Sequence, residues 1–278
     1  MFGVVPDYQA LRKQANLLRH DVVKMIAQAG SGHNGGSLSA ADMIAYLYFY
    51  QMRVDPKRPD WPERDRFVLS KGHCSPILYA ALAGRGFFPR ETLWTLREIG
   101  GALQGHPDMT KTVGVDMTTG SLGQGISAAV GMAIGGRLDR LNYQVYCMVG
   151  DGEIQEGQVW EAAMAAAHHR LENLIVLVDN NKMETDGETR SIINVEPIED
   201  RWRAFGWVAE RVDGHDIEQI HEGIQRLLGV NDRPGVLVAD TIKGKNVSFM
   251  EGQAEWHSGP TNQEQTELAL RELEGLIE

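Results

Sequence analysis

Cysteine is scarce in this chain, and its placement excludes two common kinds of small-protein scaffold. Only Cys74 and Cys147 occur among 278 residues, and neither lies in a CxxC or Cys/His spacing. The sequence therefore predicts neither a disulfide framework nor a zinc site. A chain without disulfides suits a reducing compartment, so we expect a cytoplasmic protein.

Long apolar runs and a basic surplus are also missing. No window approaches the roughly 18 uninterrupted apolar residues of a membrane span, and the N-terminus lacks the basic start and apolar run of a signal peptide. Asp and Glu outnumber Lys and Arg by 38 to 27, which gives a net charge of -11. This balance argues against a nucleic-acid or membrane partner, and any anionic ligand must be neutralised locally.

Internal repeats, low-complexity tracts and Pro-rich linkers do not appear either. With 42% hydrophobic residues, the chain can bury a large core. We therefore expect one domain over residues 1–278.

Apolar periodicity predicts how the chain begins. Between Asp7 and Ala29, apolar residues recur at steps of three and four, which is typical of a helix with one buried face. Four glycines within residues 30–36 then predict a loop whose backbone can approach a ligand closely. Another helix is expected from Ser39 to Tyr50.

Two apolar strands flank a helix in the middle of the chain. Gln144 to Val149 and Leu174 to Val178 read as strands, and Glu156 to His169 reads as a helix. This βαβ unit implies two parallel strands. The segments 207–212, 216–228 and 236–242 extend the pattern, so we predict an α/β fold with a parallel sheet flanked by helices.

Oxygen-bearing side chains follow both of these strands. Asp151 lies in a Gly-Asp-Gly turn after the first strand, and Asn181 ends an Asn-Asn pair after the second. Ligands of open parallel sheets bind beyond these strand ends, and such hard oxygens suit Mg²⁺ or Ca²⁺ together with a diphosphate. No GxxxxGK[ST] or GxGxxG sequence is present at this point of the chain to hold phosphate otherwise. Each motif alone could be an ordinary turn, but their order and spacing together favour a metal-diphosphate site.

The sequence resembles the transketolases, and in particular their thiamine diphosphate-binding N-terminal half. GDG followed about 30 residues later by NN is the general thiamine diphosphate signature. The narrower resemblance lies in SGHNGGSLSAAD, LSKGHCSP, GHPD, TTGSLGQG, GDGEIQEGQVWEA and TIKGKNVSFMEGQAEWHSGP, in that order across residues 31–260. It implies the diphosphate-type thiamine diphosphate fold.

Carried onto matching positions, the resemblance implies a set of site residues. The metal ligands would be Asp151, Asn181 and the Met183 carbonyl, and His33, His73, His106 and His257 would line the cofactor and sugar channel as catalytic residues. The implied cofactor contacts are His73, Gly120, Ser121, Leu122, Gly152, Glu156, Asn181, Lys243 and His257. Surface exposure is the alternative for Lys243. The family places the carboxylates of Glu156 and Glu161 near a subunit interface. A solvated helix face is the alternative for both. The histidines at 20, 168, 169, 215 and 221 are expected to be structural.

One part of the family's machinery is not expected in this chain. In transketolases, the glutamate that assists the cofactor's pyrimidine ring belongs to a second domain, for which we find no segment before Glu278. We therefore expect a C-terminal partner subunit with that pyrimidine-binding domain, an α2β2 heterotetramer, and transfer of a two-carbon ketol unit between sugars or sugar phosphates.

Two other functions remain open at this point. A carboligase subunit like 1-deoxyxylulose-5-phosphate synthase shares the GDG motif and the SGH beginning, and GHPD and WHSGP count against it. A non-catalytic cofactor-binding remnant is the non-enzyme alternative. Asn34 stands where many relatives have proline, which could alter substrate fit, and Asn246 stands where glycine would be expected. Asn tolerates a left-handed backbone, so the second loop can survive the change.

Overall fold

A five-stranded parallel sheet forms the centre of the computed structural model, which describes residues 5–277. Its strand order is β1-β2-β3-β5-β4, and every neighbouring pair is parallel. The strands are β1 (Arg66–Leu69), β2 (Val145–Gly150), β3 (Leu174–Asn180), β4 (Val208–Asp213) and β5 (Gly235–Asp240).

Helices cover both faces of the sheet, which confirms the predicted α/β fold. One layer contains α1, α3, α4 and α9, with α10 packed on α1, and the other contains α5, α6 and α8. The helices are α1 (Tyr8–Ala29), α2 (Asn34–Ser39), α3 (Ala41–Tyr46), α4 (Ser75–Arg85), α5 (Gln124–Leu138), α6 (Gly157–His168), α7 (Thr189–Ile192), α8 (Ile198–Ala204), α9 (Ile217–Leu228) and α10 (Gln263–Glu274).

The continuous apolar runs of the inner strands follow from this double cover. Successive side chains of a strand point to opposite faces, so both faces need apolar residues when both are buried. In β2, Tyr146 and Met148 belong to the core under one helix layer, while Cys147 and Val149 belong to the core under the other. Both cysteines are free thiols, in agreement with the absence of a disulfide framework.

The long first helix begins and ends where local chemistry dictates. The Asp7 carboxylate caps α1 by accepting a hydrogen bond from the Ala10 N–H at 2.9 Å. Gly30 ends it with a left-handed backbone, φ 65°. The predicted helix from Asp7 to Ala29 is thus confirmed within one residue.

Two local expectations need correction. The glycine-rich segment 30–36 is a loop only to His33, because α2 already begins at Asn34. The helix expected from Ser39 to Tyr50 is α3, which ends at Tyr46 and continues as one wider π-type turn, Leu47–Gln51. The predicted crossover helix, by contrast, is confirmed within one residue at each end, because α6 spans Gly157–His168 after a short 3₁₀ turn, Glu153–Gln155.

The parallel order brings the carboxyl ends of all five strands to one edge of the sheet. The register pairs Gly150 of β2 with Asp179 of β3, and Asn180 of β3 with Asp240 of β5. The loops after β1, β2, β3 and β5 therefore meet at this edge. Among residues 5–277, no helix is both long enough and apolar enough to cross a membrane.

Candidate functional site

Asp151 and the segment that begins at Asn181 are in direct contact at the sheet edge, as the βαβ reading predicts. The Asp151 carboxylate accepts hydrogen bonds from the Gly152 N–H at 2.9 Å, the Lys182 N–H at 2.6 Å and the Thr189 hydroxyl at 3.1 Å. The Asn181 amide oxygen accepts from the Met183 N–H at 3.1 Å. The two strand ends therefore form one cluster of oxygen ligands.

Electrostatically, Asp151 is in an unfavourable position. Its side chain belongs to a residue only 2% exposed, and it makes no salt bridge with a cationic side chain of the described residues. Burial, and then the neighbouring Asp179 carboxylate, raise its pKa to about 7. A buried carboxylate without a counter-charge is stabilised by any cation that binds it.

Asp179, by contrast, is neutralised within the chain. It is fully buried and ion-paired with the buried Lys71 ammonium, and the Ser39 hydroxyl donates to it at 2.6 Å. The Thr241 hydroxyl donates to its other oxygen. Burial raises the pKa of Asp179, but the Lys71 ammonium outweighs this and leaves the pKa below its usual range. Asp179 thus joins the ends of β1, β3 and β5 around the site.

Lys243 projects into the cluster from the loop after β5. The residue is only 2% exposed, which excludes the surface alternative for this lysine. Its ammonium donates to the Met183 carbonyl at 3.3 Å and the Glu184 carbonyl at 3.2 Å, and lies 3.1 Å from His257 Nδ1. Burial lowers the pKa of this ammonium.

Three of the four predicted channel histidines form a compact triad. The ring centroids of His33 and His73 are 5.1 Å apart, those of His33 and His257 are 5.4 Å apart, and those of His73 and His257 are 5.2 Å apart. Burial is the main cause that lowers the pKa of His33 and of His73 to about 4 and that of His257 to about 3. All three rings are therefore neutral at pH 7. His33 Nδ1 is buried without a hydrogen-bond partner in the described part of the chain.

His106 lies beside the triad and against the GSL loop. A Cβ placed on Gly120, whose φ is 155°, would come within 3.1 Å of the His106 ring, so glycine allows this close approach. Burial, and then the charge of a protonated His73, lower the pKa of His106. Ser121 is exposed and Leu122 is half-buried in the same loop.

The remaining predicted contacts lie at the start of the crossover. The Gly152 N–H is engaged by Asp151, and a Cβ on Gly152 would lie 3.1 Å from the Glu184 Cβ. Glu156 precedes α6, and Glu161 lies on that helix; both are exposed in this chain. Exposure in one chain fits both the solvated face and the expected subunit interface.

The oxygen set fits a hard divalent cation. Mg²⁺ and Ca²⁺ favour carboxylate, amide and carbonyl oxygens, which Asp151, Asn181 and Met183 offer. Across residues 5–277, no group of three or more His, Cys, Asp or Glu side chains could hold a metal. The expected metal ligands are of a different kind, because only one of them, Asp151, belongs to these residue types. The Met183 carbonyl accepts from the Lys243 ammonium, and its second lone pair remains for a cation.

A cavity of about 630 Å³ adjoins this cluster. It is lined by Asn181, Met183 and Lys243, and also by Glu196 and Arg211. Neither Asp151 nor any of the four histidines lines this cavity. We therefore place the candidate site at the oxygen cluster and the histidine triad, where the titratable groups meet.

Sequence reasoning missed four charged residues of this region. Glu153 is 3% exposed and accepts bonds from Ser70, from the Gly123 N–H and from the Gly150 N–H, so it ties three site loops together. Arg97 approaches Gly105, and its charge contributes to the lowered pKa of His33 and His106. The other two are Lys71 and Asp179. Glu153 directly follows the GDG turn and Lys71 directly precedes Gly72-His73, so these two had a signal in the sequence, whereas Arg97 and Asp179 had none.

Comparisons with known proteins place the whole chain in one group. The family profile described as "Transketolase, thiamine diphosphate binding domain" matches residues 10–276. The 6-deoxy-6-sulfo-D-fructose transketolase subunit SqwG of Clostridium sp. (strain MSTE9) is 50% identical over 264 residues, covering 95% of this chain and 96% of that protein. An apulose-4-phosphate transketolase subunit of Phocaeicola vulgatus is 41% identical over 270 residues, covering 97% of this chain and 96% of that protein.

A solved structure agrees with these matches and differs in length. The crystal structure of transketolase from Campylobacter jejuni subsp. jejuni has a TM-score of 0.91 and 32% sequence identity. The match covers 97% of this chain and 43% of that chain. This chain thus spans less than half of the solved transketolase and corresponds to nearly the full length of the two curated subunits.

Proposed function

The chain belongs to the transketolase family, in which it matches the thiamine diphosphate-binding domain, and we propose that it is the N-terminal subunit of a two-chain transketolase. The observation that carries this proposal is the contrast in coverage. The chain corresponds to 96% of two proteins named transketolase subunits and to 43% of a longer transketolase chain. A partner with the pyrimidine-binding domain would complete the enzyme, as an α2β2 heterotetramer in the cytoplasm.

Asp151, Asn181 and the Met183 carbonyl would hold Mg²⁺ or Ca²⁺ at the sheet edge. Asp151 is buried and forms no ion pair among the described residues, which supports this role, because a bound cation would neutralise its carboxylate. The cation and the Lys243 ammonium would together neutralise a diphosphate in a chain whose net charge is -11. Gly152 would bring the backbone close to that diphosphate, and Gly120, Ser121 and Leu122 would face the rings of the cofactor.

Thiamine diphosphate, when bound, supplies the carbon nucleophile that breaks the bond next to a ketose carbonyl. The histidine triad and His106 would act on the sugar. Neutral imidazoles offer one donor and one acceptor each, so they can bind hydroxyl groups and move their protons at pH 7. His33, His73 and His257 are half-buried, so they would shield part of the site from bulk water.

We propose a ketose with a strongly acidic end group as the donor substrate. The relative at 50% identity is named for 6-deoxy-6-sulfo-D-fructose, and the relative at 41% is named for apulose-4-phosphate. Both names describe a sugar with a sulfonate or phosphate group. Arg97 provides a cation near His33 and His106 that could attract such a donor into the channel.

The test is a reconstitution. Tagged chain is incubated with its native lysate, thiamine diphosphate and Mg²⁺, and the co-purifying chain is identified and produced with it. The pair is expected to form a complex with two copies of each chain by native mass spectrometry, and to transfer a two-carbon unit from 6-deoxy-6-sulfofructose to an aldose phosphate. Each chain alone should be inactive. Recovery of this chain without a partner, and without cofactor binding, would contradict the proposal.

A further inference from the structure

The loop after β5, residues 241–246, carries the buried lysine of the candidate site and is called the lysine loop below. Lys243 contacts the Met183 and Glu184 carbonyls and His257 at 3.1–3.3 Å. A lysine side chain has four rotatable bonds, so the place of its ammonium depends on how firmly its backbone is held. What fixes this loop is therefore relevant to the site.

At its start, the lysine loop is held by a histidine outside the catalytic cluster. The Ile242 N–H donates to His215 Nε2 at 2.9 Å, and His215 Nδ1 lies 2.8 Å from Asp42 Oδ2. A neutral ring with its proton on Nδ1 satisfies both contacts, because it donates to the carboxylate and accepts from the amide. His215 thus connects the backbone next to Lys243 to the buried Asp42.

The far end of the lysine loop is held by Asn246. Its backbone is left-handed, φ 68°, and its side-chain amide donates to Asn16 Oδ1 at 2.8 Å. The same Asn16 oxygen accepts from Arg19 Nη1 at 3.0 Å. A glycine, which the family pattern leads one to expect here, would allow the backbone but would lack this bond.

Both anchors meet at one buried ion pair. The Arg19 guanidinium contacts both oxygens of Asp42, and the two residues are 1% and 4% exposed. Arg19 also donates to the Leu38 carbonyl at 3.1 Å, which connects the pair to α2. The two ends of the lysine loop are therefore fixed to a common point inside the core.

We propose that His215 and Asn246 are positioning residues, which hold the lysine loop so that the Lys243 ammonium stays against the Met183 carbonyl and His257. Neither residue belongs to the implied cofactor contacts, and both act through the backbone of the loop. The consequence for cofactor binding rests on the proposed function. The positioning itself does not, since it can be measured in the chain alone.

Two substitutions of His215 separate positioning from simple core stability. Glutamine reaches the place of Nε2 and can accept from Ile242, whereas asparagine reaches the place of Nδ1 and can only bond Asp42. Hydrogen exchange of the Ile242 amide is measured in the isolated chain, with the amides of β2 as internal reference. We expect exchange about fivefold faster in His215→Asn and near the wild-type rate in His215→Gln, the effect of one hydrogen bond. The reverse order, or equal rates in all three proteins, would overturn the proposal.

Asn246 gives a second, independent variant in case a change at His215 prevents folding. Asn246→Gly keeps the left-handed backbone and removes the bond to Asn16, so residues 243–246 should exchange about fivefold faster. Arg140→Gly is the matched control, because Arg140 also has a positive φ, 57°, but lies in an exposed turn outside the loop. Unchanged exchange in Asn246→Gly would contradict the role assigned to Asn246.

The ligand arm uses magnesium thiamine diphosphate, titrated into the complex of this chain with its partner by calorimetry. His215→Asn and Asn246→Gly should raise the Kd about fivefold, and His215→Gln should stay within about twofold of wild type. If the wild-type complex binds no cofactor, the proposed function fails while the exchange result still decides the positioning. If exchange changes as expected but the Kd does not, the link from the lysine loop to the cofactor is wrong.

Discussion

At the scale of single residues, the two adjacent buried aspartates have opposite electrostatic situations. Asp179 is ion-paired with Lys71, whereas Asp151 accepts hydrogen bonds but forms no ion pair within residues 5–277. Burying a carboxylate without a counter-charge is costly, and such cost is concentrated at functional sites. The difference identifies Asp151, and not Asp179, as the position where an added cation stabilises the chain most.

Asp151→Asn tests that conclusion. The change removes a buried charge but places an amide group against one of three N–H or O–H donors, so the metal-free chain should change in stability by only about 1 kcal/mol. The Mg²⁺-dependent binding of thiamine diphosphate should weaken at least tenfold, about the least expected for losing a ligand. Thermal unfolding with and without Mg²⁺ and cofactor measures both effects. Asp186→Asn, an exposed aspartate in the following loop, should change neither.

The histidine triad predicts a pH dependence of stability. The pKa of a histidine is about 6.5 in the unfolded chain. In the folded chain the pKa of His33 and of His73 is lowered to about 4, and that of His257 to about 3. Between these values the unfolded state binds more protons, so the free energy of unfolding falls as the pH falls below 6.5. This contribution is fully present above pH 6.5. Urea unfolding of the isolated chain from pH 7 to 4.5 measures the decline.

A variant separates the triad from the carboxylates that titrate in the same range. His33→Gln should reduce the slope of the free energy of unfolding against pH. The reduction should correspond to about one bound proton, because the variant lacks one group that is protonated only after unfolding. His168→Gln, an exposed histidine of α6, is the matched control. An identical slope in wild type and His33→Gln would show that His33 does not contribute.

At the scale of elements, the segment after β5 needs glycine at one position for two reasons. Gly244 has φ 76°, and a Cβ there would lie 2.4 Å from the Met250 carbonyl oxygen. Gly252 has a similar φ of 69°, but a Cβ there meets no described atom within 4 Å. The pair distinguishes backbone strain from steric overlap within one segment.

Substitution by alanine should therefore lower the free energy of unfolding by different amounts at these two glycines. Gly252→Ala adds only the left-handed strain, about 1 kcal/mol. Gly244→Ala adds the same strain and also forces the Met250 backbone to move, for a total of about 2–4 kcal/mol. Urea unfolding of the two variants against wild type decides this. Equal destabilisation would mean that Met250 moves without cost.

Elements with a strong local signal could be predicted from the sequence, and those fixed by distant contacts could not. Helix α1 has regular apolar spacing, an Asp cap and a glycine stop, and β2 and β3 are unbroken apolar runs. Helix α4 begins in the LSKGHCSP motif and is buried almost throughout, so it lacks amphipathic periodicity and was missed. Insertion of β5 between β3 and β4 depends on pairing that no single segment encodes.

The candidate site divides in the same way. Asp151 and Asn181 could be paired from the βαβ order, because parallel strands end at one edge. The triad of His33, His73 and His257 rested on the family resemblance, and the structure brings the three rings together. The contacts of Glu153 with Ser70 and Gly123 join loops far apart in sequence, and local pattern carries no information about them.

At the scale of the whole molecule, the candidate site contains cationic side chains although the chain as a whole is acidic. The chain carries a net charge of -11, yet Lys71 and Lys243 are buried at the strand ends and Arg97 lies near the histidines. Buried cations act in a low-dielectric setting, so their attraction for an anion is stronger than that of surface lysines. The acidic surface therefore does not prevent binding of an acidic cofactor at this edge.

The helix layer of α5 and α6 has an outward face suited to another protein chain. On α5, a Cβ at Gly131 or Gly135 meets no described atom within 4 Å, and Leu138 is 77% exposed. On α6, Met164 is 54% exposed and lies one turn after Glu161. Small residues allow close helix approach, and exposed apolar side chains gain from burial. This face also carries the carboxylate that the family places near an interface.

Gly131→Leu therefore should leave this chain folded and weaken its assembly. Leucine is a better helix former than glycine by roughly 0.8 kcal/mol, so the isolated chain should be as stable as wild type or more so. In the complex, the added side chain would occupy space needed by the neighbour, and native mass spectrometry should show a smaller species. Glu222→Leu on α9, in the opposite helix layer, adds the same side chain where no neighbour is expected. If both variants assemble like wild type, the face of α5 is not an interface; if only Gly131→Leu fails to assemble, the subunit contact lies on this layer of the sheet.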